Sequence, residues 1–399
     1  MNVDIAIVGA GPAGLCLARA LAAPDRSMAV IDPATEDVLA EPEWDGREIA
    51  LTHASKTVLD RLGLWSRIDA DQISALRDAE VTDGNSTHPM RIDHSDGRAE
   101  QLGWLVSNHL IRRAAWQVAR ECEGLTWLTG RRVEATSDQG QARRLRLSDG
   151  TQLEAGVVVA ADGRFSATRR AAGISAHMRD FGKSMLVTRM TLEQPHEHIA
   201  REWFGHDFTL ALLPLNGQQA STVVTLPHER IERLMSLEEA DFNREITELY
   251  RHRHGQMQLV GKRHAYPLVG VMPDRLTAPR LVCVGDAAVG MHPVTAHGFN
   301  LGLTGVRILT DEIAKSRLRS GVTLSPRAMA AYAARLRAHS VPLYLATNTI
   351  VSLYTSDRLP ARILRRAALR TAAGVAPFRR AIAGQLTGRS GPLQVLAGR

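Results

Sequence analysis

Residues 285–303, GDAAVGMHPVTAHGFNLGL, gather groups that can do chemistry. Asp286 follows a glycine, His292 and Pro293 are adjacent, His297 comes next, and Gly298-Phe299-Asn300 closes the run. By residue type alone this is a metal loop, the surroundings of a nucleophile, a helix cap or a grip on a cofactor. Zinc wants a closed set of ligands with cysteine or acid partners. His292 and His297 have none beside them, and His53 and His109 are distant, so no metal is expected. Ser166 and Ser184 lack the GxSxG elbow that exposes a nucleophile. Pro293 stiffens its turn and removes one backbone donor. His292 reads either as a structural loop histidine or as a group beside a pocket.

Two other stretches also have an apolar run that ends in a glycine-bearing turn. Val3–Val8 is a short apolar run, Gly9-Ala10-Gly11-Pro12-Ala13-Gly14 follows, then a helical pattern over 15–21, a second apolar run over 28–31, and Asp32. In that order each residue type has a task. Gly9 permits a tight turn, Gly11 lets the backbone approach a pyrophosphate, and Gly14 lets the helix pack on the sheet. The helix N-terminus offers free N–H groups to phosphate, and Asp32 can accept hydrogen bonds from a ribose. This predicts dinucleotide binding, with Asp32 favouring a 2′-hydroxyl over a 2′-phosphate, and does not choose between FAD and NAD. In the middle of the chain 157–161 (VVVAA) runs into Asp162-Gly163-Arg164-Phe165-Ser166-Ala167-Thr168-Arg169. Taken alone that is also a plain strand–turn–helix connection with Arg164 and Arg169 in solvent. Leu281–Val284 precedes Asp286 in the same way, with a helical pattern over 302–309. Ligands of open α/β sheets lie at the carboxyl ends of parallel strands, so three such ends converging on one cofactor is the expected arrangement.

Together GAGPAG at 9–14, ADGRFSATRR at 161–170 and VGDAAVGMHPVTAHGFNLGL at 284–303 resemble the flavoprotein aromatic hydroxylases, the class that includes para-hydroxybenzoate hydroxylase. The chain is most similar to the ubiquinone-biosynthesis hydroxylases; LPL at 213–215 and REIALTHASKTVLDRLG at 47–63 also fit. The resemblance implies an α/β fold: a Rossmann-like FAD-binding domain (1–75, 100–180 and 270–330), an inserted mixed-sheet substrate domain (76–99 and 181–269) and a C-terminal helical region (331–399). It implies FAD held by Gly9, Gly11, Ala13, Gly14, Asp32, Arg47, Arg112, Asp162, Asp286, Gly298, Phe299 and Asn300. His292, Pro293 and His297 are then the candidate catalytic segment beside the flavin. The implied reaction is ring hydroxylation of a polyprenylated phenol or quinol through a flavin C4a-hydroperoxide, with O₂ and NADH or NADPH. Hydroxylation of a small soluble phenol, or flavin reduction without oxygen transfer, shares the cofactor motifs. Three departures stand out: Asp32 replaces the usual glutamate, Ala296-His297-Gly298 replaces GQG, and Asn108 stands where arginine is common. AHGFN resembles a subgroup associated with late ring hydroxylation.

The elements that must position these groups need a large core. The chain has 399 residues, 44% of them apolar and 23% charged, an ordinary globular composition suited to two packed domains. Met185–Met190, Phe208–Leu213 and Ser221–Leu226 have strand character, 191–201 is polar and turn-like, 109–120 and 325–370 are helical. Cys16, Cys122 and Cys283 are few and dispersed, which favours buried small hydrophobes over a disulfide framework. No basic leader precedes the first strand and no run of 18 apolar residues occurs, so a cytoplasmic protein is expected. The net charge is +7, and after Asp357 there are nine arginines and no acid, interleaved with Ile363, Leu364, Leu369, Val375 and Phe378. Such a tail suits an anionic lipid surface or a quinone-biosynthesis complex; the alternative is a solvated helix packed on the main body. No nucleic-acid recognition motif accompanies the charge.

Overall fold

The computed structural model describes residues 1–84, 89–205, 208–291, 298–320, 324–355 and 383–384. The chain has a two-domain α/β fold in which a Rossmann-like region carries a mixed-sheet substrate domain and C-terminal helices. The apolar run at the N-terminus forms strand Asn2–Val8, flanked by Gln152–Ala160 on one side and Met28–Asp32 on the other. Leu281–Cys283 and Leu125–Thr129 extend the sheet at either side, and all these pairs are parallel. Ile5, Ala6 and Ile7 are fully buried. A parallel strand covered on both faces reads as a continuous apolar run, which is why no alternation appears in the sequence. Helix Pro12–Leu21 packs between helices Asn108–Arg120 and Gly298–Ser320. Arg143–Leu147 and Val133–Asp138 add an antiparallel flap to Gln152–Ala160.

The register decides where chemistry can occur. Val8 pairs with Ala160 and Ala160 with Cys283, so the three glycine-bearing turns leave the sheet side by side. The chain proceeds to Met28–Asp32 on one side of the first strand, while Gln152–Ala160 lies on the other. The crevice between them is a topological switch point.

The second sheet runs Met257–Pro273, Ala176–Leu192, Gln219–Pro227, Thr209–Pro214, Ile199–Phe204, Asp78–Asp83, Met90–Ile92 in spatial order. Only the pair Ile199–Phe204 with Asp78–Asp83 is parallel among its described strands. The polar stretch 191–201, expected as a turn, is shorter than its composition suggests. Leu192 and Ile199 are buried and belong to strands. Helices His228–Ser236 and Glu239–Leu249 cover one face of this sheet around Leu186, Met190, Leu212 and Phe242. The other face meets a three-stranded sheet of Glu48–Leu51, Gly103–Ser107 and Ser74–Leu76. Their contact is an apolar cluster of Leu76, Met90, Ile92, Leu102, Leu105 and Leu215, which Ala383 joins.

Helix Pro326–Thr355 packs on Gly298–Ser320, and its Tyr332 hydroxyl donates to Cys283 O at 2.6 Å. The basic tail expected to be helical lies outside the described residues apart from Ala383 and Gly384. No described helix is long and apolar enough to cross a membrane.

Candidate cofactor and substrate site

Gly9 has φ of 110°, and a Cβ there would lie 2.5 Å from Ala161 O. A Cβ on Gly14 would lie 2.0 Å from Gly9 O. Both positions therefore exclude any side chain on steric grounds. Gly11 differs: its φ of −70° is ordinary, and nothing lies within 4 Å of an added Cβ. The bare backbone at Gly11 faces open space at the start of helix Pro12–Leu21. That helix has no side-chain cap and no acid in its first turn. Its leading N–H groups are therefore available to an anion. Asp32 holds the loop from the other side, accepting the Ala10 N–H at 2.6 Å and the Ala34 N–H at 2.8 Å. Ala13 touches the third motif, since a Cβ on Gly285 would come within 2.9 Å of the Ala13 methyl.

Asp162 accepts from the Ser166 hydroxyl and, at 3.0 Å, from the Thr168 N–H. Its carboxylate thus braces the turn, while Ser166 caps helix Ala167–Ala171 by accepting the Arg169 N–H at 2.9 Å. The alternative of solvated arginines is corrected here. Arg169 is 2% exposed and donates to Arg164 O at 3.1 Å and Ala287 O at 3.0 Å. Burial holds its pKa below the usual guanidinium range. Arg164 donates to Asp286 Oδ2 at 3.2 Å and to Val269 O at 3.0 Å. The second and third motifs are therefore joined by two arginines that the sequence showed only as polar residues after a turn. The one signal was Gly290, where a Cβ would lie 2.9 Å from Arg164 Cβ.

Gly298 opens its helix near Asp286, with an added Cβ 3.9 Å from Asp286 Oδ1. Phe299 packs against the main core. The Asn300 side chain is 8% exposed residue-wide and is tied to protein backbone. Its amide donates to Ala50 O at 2.8 Å, and its oxygen accepts the Thr52 N–H at 3.1 Å. The Asn300 side chain is thus committed to strand Glu48–Leu51 and the turn after it, at the start of helix Gly298–Ser320. Arg47 pairs with Asp45 at 2.5 Å and lies 5.6 Å from the Tyr266 ring centroid. Burial depresses its guanidinium, but Asp45 outweighs that and raises it, with Tyr266 and Asp286 adding to the field. Arg112, on helix Asn108–Arg120, makes no ion pair with the described residues and contributes to the positive field on Tyr266. Asn108 donates to Asp45 at 2.7 Å, so the replacement of an arginine there leaves Arg47 partnered through one acid. His292, Pro293 and His297 lie outside the described residues.

A buried ion pair joins the two domains beside this crevice. Glu48, whose side chain is 1% exposed, meets Arg189 at 2.7 Å and accepts from the Ser107 hydroxyl at 2.9 and 2.8 Å. Burial pushes the Glu48 carboxyl up, and Arg189 and Ser107 counter it. Arg189 lies over the Trp44 ring at 5.4 Å, and Trp44 meets His264 edge-on at 5.0 Å. Trp44 Nε1, His109 Nδ1 and His264 Nε2 are buried without a partner among the described residues. Among the described residues Asp78, Asp93 and His94 have metal-like spacing. Asp78 is already held by Arg91 at 2.9 Å and His94 at 2.7 Å, so arginine supplies the cation.

The geometry suits an FAD: an open glycine backbone at an uncapped helix end, an acid beside it and a second acid across the crevice. A family model described as an FAD binding domain matches residues 2–321. The chain is 39% identical over 392 residues to ubiquinone hydroxylase UbiM of Neisseria meningitidis, covering 97% of this chain and 85% of that protein. It is 31% identical to ubiquinone hydroxylase UbiL of Rhodospirillum rubrum, covering 94% and 87%. The solved p-nitrophenol 4-monooxygenase PnpA of Pseudomonas putida superposes with a TM-score of 0.77 at 17% identity, covering 100% of this chain and 99% of that one. The chain belongs to the flavin-dependent aromatic hydroxylases, in the family of para-hydroxybenzoate and ubiquinone hydroxylases, and is an FAD-dependent monooxygenase of aromatic, phenolic substrates.

Proposed function

We propose that the protein hydroxylates the ring of a polyprenylated phenol or quinol in ubiquinone biosynthesis, with NADH or NADPH as electron donor. The observation that carries this reading is the 39% identity to a ubiquinone hydroxylase across 97% of the chain. The partly accessible apolar residues Ala50, Ala79, Val81, Ala200 and Leu213 beside the cluster between the two facing sheets support it, because a prenyl tail needs an apolar lining. Reduced FAD supplies activated dioxygen when bound, chemistry that side chains do not carry.

The chain's own residues bind and orient. Gly9, Gly11, Ala13 and Gly14 give the pyrophosphate a backbone surface at the helix end, and Asp32 meets the ribose while bracing the loop. Arg47 and Arg112 supply positive charge over the cofactor, the turn built by Asp162 closes the pyrophosphate side, and Asp286 meets the ribitol. Gly298, Phe299 and Asn300 present backbone amides to the ring's pyrimidine end. His292, Pro293 and His297 form the segment beside the reacting ring. The paired sheets exclude water, which protects activated oxygen from wasteful breakdown. The nine arginines after Asp357, with no acid among them, favour a cytoplasmic protein resting peripherally at the inner face of a membrane, where a lipid-soluble substrate resides.

The test is complementation of bacterial mutants blocked in each ubiquinone ring hydroxylation, with mass analysis of their quinone lipids. Restored ubiquinone in one mutant identifies the ring position. The purified protein is expected to be yellow with an FAD spectrum. Restoration in none of the mutants by a yellow, NAD(P)H-oxidising protein refutes the quinone substrate and leaves the monooxygenase.

A further inference from the structure

Glu202 is an acid in an apolar place. It lies in strand Ile199–Phe204 between Arg201 and Trp203, whose side chains point the other way. Trp203 belongs to the helix-covered cluster with Leu210 and Leu212. Arg201 ion-pairs with Glu80 and Glu197 there, beside a surface cleft of about 480 Å³. Glu202 therefore projects from the opposite face, with Ala200. Across the strands it registers with Ala211 and with Val81. Ala79, Val81, Ala200 and Leu213 pack against the cluster of Leu105 and Leu215 that joins this face to the three-stranded sheet.

That sheet ties the place to the crevice. Ala50 faces the same cluster as Leu105, with which it pairs. Ala50 and Thr52 are the two backbone groups held by Asn300, next to Gly298 and Asp286. Glu202 is partly accessible, and so are Ala79, Val81, Ala200, Ala211 and Leu213 around it, so this face of the sheet is open to a small molecule. Through Ala50, which is partly accessible too, the face reaches the cofactor turn. Glu202 has no hydrogen-bond or ion-pair partner among the described residues. Asp83 stands at the rim of the adjacent strand, Glu48 and Arg189 are paired with each other, and His264 and Tyr266 stand farther along the face. None of these acts on Glu202; burial alone pushes its carboxyl up to about 8.

We propose that Glu202 is the acid–base residue that contacts substrate, its carboxylate accepting the proton of the ring hydroxyl of a bound phenol. This rests on the phenolic-substrate reading above. The O–H bond of the phenol breaks and a new O–H bond forms on Glu202. The electron pair stays on the phenolic oxygen and enriches the ring carbon that takes up oxygen. The product ring then loses its carbon-bound proton to water, the C–H electron pair restores aromaticity, and Glu202 returns its proton to the phenolate oxygen. A base whose pKa stands near working pH serves this role, whereas an ordinary carboxylate is too weak a base for a phenol.

The test uses the FAD-loaded full chain, with Glu202→Gln and Glu202→Asp beside the wild type. The probe is 4-nitrophenol, whose absorbance reports its own ionisation. Bound as phenolate to the wild type, it places the proton on Glu202. Its affinity is then expected to fall about tenfold per pH unit above pH 8, as both partners ionise. Glu202→Gln is expected to give a flat curve there with unchanged FAD content, and Glu202→Asp to restore the fall. Identical curves for wild type and Glu202→Gln, or no saturable binding by the wild type, overturn the proposal. With a short-chain prenylphenol, turnover is expected to drop about 10²- to 10⁴-fold in Glu202→Gln. A wild type that binds nitrophenol as expected yet leaves the prenylphenol untouched refutes the quinone-type substrate instead, since the binding curves decide Glu202 separately.

Discussion

Gly11 and Gly14 are chemically identical and three residues apart, but alanine at each should fail differently. At Gly14 the added methyl would lie 2.0 Å from Gly9 O, a backbone atom that cannot swing away. Helix Pro12–Leu21 must then lift from the sheet. Overpacking of this kind costs about 1–3 kcal/mol, and the loss should appear in the cofactor-free protein. At Gly11 the methyl meets nothing within 4 Å, and the φ of −70° already suits alanine. Removing glycine's freedom in the unfolded chain should stabilise the cofactor-free protein by about 0.4–1 kcal/mol. The same methyl occupies the side from which a pyrophosphate approaches, so FAD affinity should fall by at least about tenfold, or about 1.4 kcal/mol. Denaturant unfolding of the FAD-stripped proteins measures the first quantity, and flavin fluorescence titration the second. If Gly11→Ala destabilises the stripped protein while binding FAD normally, the assignment of Gly11 to the phosphate side is refuted.

Other expectations follow from the same geometry. Asp286→Asn should lower FAD affinity about 10- to 100-fold, the range for a hydrogen bond to a charged group, while changing stripped-protein stability by less than about 1 kcal/mol. The Arg164–Asp286 pair is part-exposed, with side chains 28% and 37% accessible, so it contributes little to folding. Tyr332→Phe removes the buried hydroxyl bond to Cys283 O and should cost about 1 kcal/mol in urea unfolding, with FAD content intact. Asp78 is held at about 2, against the carboxylate's ordinary 3.8, by its bonds to His94, Arg91 and Arg77, which overcome burial. A depressed folded pKa stabilises above the unfolded pKa, and the contribution of about 2 kcal/mol is lost as pH falls from about 4 towards 2. Asp78→Asn should flatten that part of the stability–pH curve; an unchanged slope would show that Asp78 is not its source.

The cofactor loop was legible because its requirements are backbone requirements. Gly9 and Gly14 are glycines for steric reasons that hold in any such turn, and an apolar run before them is a strand buried on both faces. The same holds for Asp32, which closes its strand and braces the loop within one supersecondary unit. The carboxyl-end design at 161–170 and 284–303 was likewise visible, because strand, turn and helix follow each other in the chain.

The partners of these groups were not legible. Arg164 finds Asp286 122 residues away, Glu48 finds Arg189 141 residues away, and Asn300 finds Ala50 250 residues away. No local pattern marks such pairs, because they arise only when parallel strands fall into register and two sheets meet face to face. Asn300 shows the consequence: tertiary packing ties its side chain to strand Glu48–Leu51 and Thr52, which no pattern around residue 300 marks. Glu202 shows the converse. In the sequence it is one acid in the polar run Arg201-Glu202-Trp203, and the pleat of the sheet alone turns it from the solvent-side arginine towards the interior. The sequence by itself determined that the chain can hold a dinucleotide, through local backbone sterics. The tertiary structure decided which side chains face that cofactor and its substrate, since a strand's register and face are set by the surfaces packed against it.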